Sequence, residues 1–148
     1  MEAGYVFDKY GHAIYWHTPP DRTAGSIPDS RPLWDVLWEN RTNLGGFIHT
    51  HPWWGEAYYS QEDVTTFAAI EDGLGQRLVW PVATFTEVKY FVWVGPGRFD
   101  YAEMGTRRFR LLYQEIEELR QLSLPTGKED ADGKSERDVQ GQERGVPG

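Results

Sequence analysis

The segment that most restricts how this chain can fold is Phe47-Ile48-His49-Thr50-His51-Pro52, followed by Ser60-Gln61-Glu62-Asp63. Phe47 to His51 reads as a strand that ends at Pro52, which has no N–H for a ladder. Residues two apart on a strand project from one face, so His49 and His51 point together. Ser60 reads as a helix cap, with Asp63 as the reciprocal acid of a capping box. The loop between them, Trp53 to Tyr59, is long enough for the chain to turn back. Asp63, in the first helical turn, can then reach the ion that the two imidazoles face, and its charge suits a helix N-terminus. Neutral imidazole and carboxylate oxygen both suit zinc, and three protein ligands plus water is the usual catalytic layout. The segment therefore predicts a strand–loop–helix unit built around a metal-dependent hydrolytic site, with His49, His51 and Asp63 as ligands.

The remaining elements follow from local pattern. Tyr5-Val6-Phe7 and Ala13-Ile14-Tyr15-Trp16 predict two short strands around the turn Asp8-Lys9-Tyr10-Gly11. Thr18 to Pro32 is loop, dense in Pro, Gly, Ser and Asp. Leu33 to Trp38 predicts a short helix with Pro32 at its start, and Asn43 to Gly46 a break. Val64, Phe67, Ala68 and Glu71 fall at helical spacing after Ser60, with Gly73 and Gly75 as stops. Arg77 to Thr86 and Tyr90 to Val94 predict strands, and Gly95-Pro96-Gly97 turns the chain toward Phe99 to Tyr101. Thr106 to Leu122 predicts a helix whose face is Phe109, Leu112, Tyr113, Ile116 and Leu119. Residues 125–148 hold no aromatic residue and are rich in Gly, Lys, Glu, Asp, Ser and Gln, the composition of a disordered tail.

The 148 residues suffice for one domain, spanning 1–124, with the tail beyond it. Seven Trp, eight Tyr and seven Phe supply the apolar area that a small core needs. Fifteen Lys and Arg against 23 Asp and Glu give a net charge of -8, which argues against nucleic acid and offers nothing to anionic lipid. There is no cysteine, so a metal site must use His, Asp or Glu. The start Met1-Glu2-Ala3-Gly4 lacks a signal-peptide pattern, and no apolar stretch is long enough to span a bilayer, so the expectation is a cytoplasmic protein.

Hydrolysis at such a site needs a group to move protons. No His-Glu-x-x-His helix is present, so that group comes from elsewhere, with Glu2, Glu39, Glu56, Glu62 and Glu71 as candidates. Ser60 could donate to a developing oxyanion. Trp53 and Trp54, in the loop beside the metal strand, are candidate substrate contacts or packing residues. His12 and His17 read as structural.

His49-x-His51-Pro52, seven residues, then Ser60-x-x-Asp63 resembles the signature of the JAMM metallopeptidases, the JAB1/MPN/Mov34 or MPN+ domain, over roughly residues 2–105. The resemblance implies an α/β domain of the cytidine-deaminase-like kind: a curved, mixed but mostly antiparallel sheet with flanking helices. It implies zinc on His49, His51 and Asp63, Ser60 at the oxyanion, and a proton-shuttling glutamate opening an early strand, a place that Glu2 fits. It also implies cleavage of a peptide or isopeptide bond, including those of ubiquitin-like proteins. The family usually carries a strand and a helix before that glutamate. Their lack here predicts a sheet edge that a partner protein or a second copy can cover. Two other readings stand beside the peptidase: a non-catalytic MPN-type scaffold that keeps its metal, and a metal-dependent hydrolase of small molecules.

Overall fold

A computed structural model of the chain describes residues 1–105 and 110–125. Residues 106–109, the expected start of the last helix, and 126–148, nearly all of the expected tail, lie outside the described residues. The chain opens with an antiparallel hairpin, β1 (Gly4–Asp8) and β2 (Ala13–His17), whose turn is tied by Asp8 Oδ1 accepting from the Tyr10 and His12 amides. Helix α1 (Arg31–Glu39) starts where Ser30 Oγ accepts from the Leu33 amide, with Pro32 in the first turn. Then follow β3 (Leu44–Thr50), α2 (Gln61–Leu74), β4 (Trp80–Ala83), β5 (Val88–Trp93), β6 (Tyr101–Glu103) and α3 (Tyr113–Ser123).

The strands form one six-stranded mixed sheet in the order β2-β1-β3-β4-β5-β6. Strands β3 and β4 are parallel, which requires a crossover, and α2 supplies it; the other neighbouring pairs are antiparallel. The edges are β2 and β6. The strand that Glu2 leads into is internal, and the edge strand beside it is β2.

Alternation along the strands sorts the core into two clusters. Val6, Phe47, Trp80 and Phe91 pack with Leu33 and Leu37 of α1 and Val64 and Phe67 of α2. Tyr5, Phe7, Ile48 and Ala83 pack with Ile116 and Leu119 of α3. Helices α1 and α2 thus cover one face of the sheet and α3 the other. His49 has the strand parity of Phe47 and projects toward α2, while Thr50 has the parity of Ile48 and projects toward α3.

Four expectations are corrected. Gly45 and Gly46 do not break the chain but belong to β3, because a Cβ on Gly46 would lie 1.8 Å from the Val79 carbonyl oxygen and only glycine allows that approach. Of the expected strand from Arg77 to Thr86 only Trp80–Ala83 forms, with Val79 before it in an isolated bridge to Gly46, because Arg77 and Leu78 turn toward Glu71. That buried carboxylate accepts from Arg77, the Leu78 amide, Trp80 Nε1 and the Tyr101 hydroxyl. Helix α3 begins at Tyr113, and Leu111 is buried in place of Leu112 and Tyr113, the latter 71% exposed. The Leu111 amide donates to Tyr90 Oη at 3.1 Å, which holds Leu111 against the sheet and out of the helix. Gly73 lies inside α2, and Gly75 alone, at φ 71°, caps it.

Candidate metal centre

The site forms where β3 ends and α2 begins. Ser60 Oγ accepts from the Asp63 amide at 3.0 Å, and the Ser60 amide donates to Asp63 Oδ2 at 2.8 Å, so the expected capping box is present. The same Oδ2 lies 3.0 Å from His49 Nε2 and 3.0 Å from His51 Nε2, and the two nitrogens are 3.1 Å apart. The cap therefore aims one carboxylate oxygen at two imidazoles that β3 and the residue just after it present from a single face. Cap and ligand are one atom, not competing roles.

This triangle is a poor hydrogen-bonded cluster. If both nitrogens carry protons toward Oδ2, the N···N edge has no lone pair; if either gives up its proton, one N···O edge becomes acceptor against acceptor. A cation facing two neutral imidazoles and a carboxylate satisfies all three atoms. Ligand atoms about 2.0–2.1 Å from a common tetrahedral ion stand roughly 3.3 Å apart, close to the edges seen here. His49, His51 and Asp63 thus fit a divalent ion and form a candidate metal site.

The electrostatics point the same way. Burial pushes the Asp63 carboxyl up, yet the hydrogen bonds with His49 and His51, the charge on His49 and the Ser60 amide together hold it well below the ordinary carboxylate range. Burial pulls His49 down, but Asp63 and Glu2 outweigh it and set the imidazole above its usual value. Metal binding there competes with protonation of His49. His51 Nδ1 is buried without a hydrogen-bond partner among the described residues, so no outer carboxylate or carbonyl fixes this ring. The ring packs instead on Trp53, centroid to centroid 4.5 Å.

Of the candidate carboxylates, Glu2 is the one buried against the cluster, its Oε2 3.9 Å from His51 Nε2. Burial pushes its carboxyl up to about 7; His49 opposes the rise, and Asp63 and Glu62 add to it. Backbone contacts hold it in place: its amide donates to the Thr23 carbonyl and its carbonyl accepts from Arg22. The next residue is clasped by β3, with the Ala3 amide donating to Thr50 Oγ1 at 2.9 Å and the Ala3 carbonyl accepting from the Thr50 amide. Thr50 Oγ1 lies 2.5 Å from Ser123 Oγ of α3, and the Met1 nitrogen donates to the Ser123 carbonyl.

The other candidates stand elsewhere. Glu39 is exposed at the end of α1, Glu56 pairs with Lys89, and Glu71 is committed to its own network. Glu62 is exposed on the first turn of α2 near the cluster. Trp53 borders His51 at 45% exposure, whereas Trp54, 73% exposed, packs on Phe85 rather than on the cluster. His17 is buried with Nε2 on the Pro28 carbonyl, a structural role. Sequence reasoning did not single out Thr50 or Ser123 as the clasp on Glu2; their positions on opposite sides of the sheet's α3 interface are a tertiary fact.

No protein-family model matches the chain, and no curated protein matches its sequence. The motif and its geometry carry the functional argument alone.

Proposed function

We propose that this chain is a metal-dependent hydrolase of the JAMM type, a zinc peptidase or isopeptidase. The observation that carries the reading is the convergence of His49 Nε2, His51 Nε2 and Asp63 Oδ2 with a buried glutamate beside them. Zinc held by these three would supply Lewis acidity toward a substrate carbonyl and a water acidified toward neutral pH. Glu2 is suited to the proton work. With its carboxyl near 7 it can take a proton from water at Oε2 and pass it to the leaving amine as the C–N bond breaks. Ser60 Oγ uses one lone pair for the Asp63 amide, which leaves its hydroxyl hydrogen able to donate to the carbonyl oxygen as charge develops there. Substrate class, whether peptide, isopeptide or ubiquitin-like protein, belongs to the same proposal.

The exposed faces of Trp53 and Trp54 favour a second reading, a protein-binding scaffold that retains the ion. The test has two arms. Metal analysis of the purified protein should find one zinc per chain, absent from the His49→Ala, His51→Ala double variant. Zinc-loaded protein should cleave peptide or ubiquitin-like fusion substrates, and Glu2→Gln should lower kcat by about a hundredfold or more while keeping the metal. A wild-type protein that takes up no zinc removes the proposal. Zinc without turnover across a broad substrate panel selects the scaffold. Tight binding of iron instead would redirect it, since two histidines and a carboxylate also serve non-haem iron.

A further inference from the structure

A cleft of about 190 Å³ adjoins the cluster, and Glu2, His49 and Asp63 belong to its wall. The rest of its lining is mostly apolar. Leu37, Phe47, Phe67 and Trp80 are buried parts of it, and Ile27 and Ile70 complete the wall from the loop before α1 and from α2. His17 borders it with Nε2 already committed to the Pro28 carbonyl. Asp29 and Glu62 stand exposed at the rim.

We propose that this cleft is a recognition pocket for one apolar side chain, aromatic or branched aliphatic, on a residue adjoining the bond to be cleaved. The proposal rests on the hydrolase reading for the kind of chain that carries the side chain. Size supports one side chain: a dry cavity of about 150 Å³ holds a benzene ring, whereas pockets for drug-sized ligands run to roughly 300–1,000 Å³. Continuity supports its place beside the reacting bond, since the apolar walls and the metal cluster enclose the same space. Charge supports the exclusion of acidic side chains, because a carboxylate entering here would meet Glu2, Asp29, Glu62 and Asp63. A glycine at this position would leave the apolar walls uncovered. The pocket therefore favours peptides with a bulky apolar residue at the bond over modifiers that end in glycine.

The binding test uses metal-free protein, so that it does not depend on turnover. The indole N–H of Trp80 donates to buried Glu71 and gives an NMR reporter within the lining. Titration with N-acetyl-phenylalaninamide should shift that signal, with N-acetyl-glycinamide and N-acetyl-aspartamide binding on the order of tenfold or more weaker. Ile70→Phe should close the pocket and abolish the difference; Ile27→Ala, in a loop, should widen it and favour a naphthyl analogue. In zinc-loaded protein, peptides with Phe or Leu at the bond should exceed Gly in kcat/KM on the order of ten- to a hundredfold. No shift with the phenylalanine amide in folded protein, or a preference untouched by both variants, overturns the proposal. Cleavage that treats Gly and Phe alike also overturns it and leaves the hydrolase standing. Selective binding without zinc uptake or turnover keeps the pocket and removes the hydrolase.

Discussion

Glu2 has the environment that a proton carrier needs, and its titration can be tested without substrate. Its carboxyl lies near 7 in the folded chain against an ordinary value of 4.5, chiefly because burial disfavours the charged form. Between those values the folded state binds more protons than the unfolded one. The associated stability is full below about pH 4.5 and is lost as pH rises through about 7, a change of roughly 3 kcal/mol. His49, also raised, acts in the same direction above its ordinary 6.5, whereas Asp63, held low, contributes stability that disappears only as acid protonates it below its usual range. Metal-free protein unfolded by urea should therefore be more stable at pH 5 than at pH 7.5, and Glu2→Gln should remove most of that difference. A wild-type protein whose stability rises over this interval would show that Glu2 is not buried as described.

At the scale of elements, the clasp between β3 and α3 decides where Glu2 stands. Thr50 Oγ1 accepts from the buried Ala3 amide and meets Ser123. Thr50→Val leaves that amide without its acceptor, a loss of about 1–3 kcal/mol, and loosens the residue next to Glu2. The expected result is lower kcat at unchanged zinc occupancy, restored by Thr50→Ser, with stability read from chemical unfolding. A loss of zinc in step with kcat would point instead to damage at the histidines. Local pattern made the strand–loop–helix unit legible: parity paired His49 with His51, and the Ser60 cap placed Asp63. It also found the hairpin and α1, whose signals lie within a few residues. It misplaced elements whose bounds depend on distant partners. Helical spacing from Phe109 to Leu119 carried no sign that Tyr90 would hold Leu111 out of the helix. Likewise, Gly45-Gly46 resembles a turn until Val79 is seen to lie against it. The apolar cleft was invisible for the same reason, since its walls come from several separate segments.

For the whole molecule, the candidate ion would tie the end of β3 to the start of α2, which makes metal binding part of global stability. Anything that binds only the folded state stabilises it by mass action, about 4 kcal/mol at a thousandfold excess over Kd. Zinc should raise Tm by on the order of 10 °C, chelator should reverse the shift, and the His49→Ala, His51→Ala protein should respond to neither. Identical melting of the wild type with zinc and with chelator would contradict the tie. Among the described residues no helix is long and apolar enough to cross a membrane, and the exposed Asp29 and Glu62 put acidic groups at the cleft mouth.

Strand β3 turns the His49 imidazole to one side of the sheet, with His51 just beyond its end beside it, and the Thr50 hydroxyl to the other. Sliding it by a single position would exchange those sides, putting a hydroxyl where the ion belongs and an imidazole into the seam under α3. Mispaired molecules would consequently forfeit metal and proton carrier in one stroke, so that a refolded sample should contain competent molecules and inert ones, with no half-active class between them.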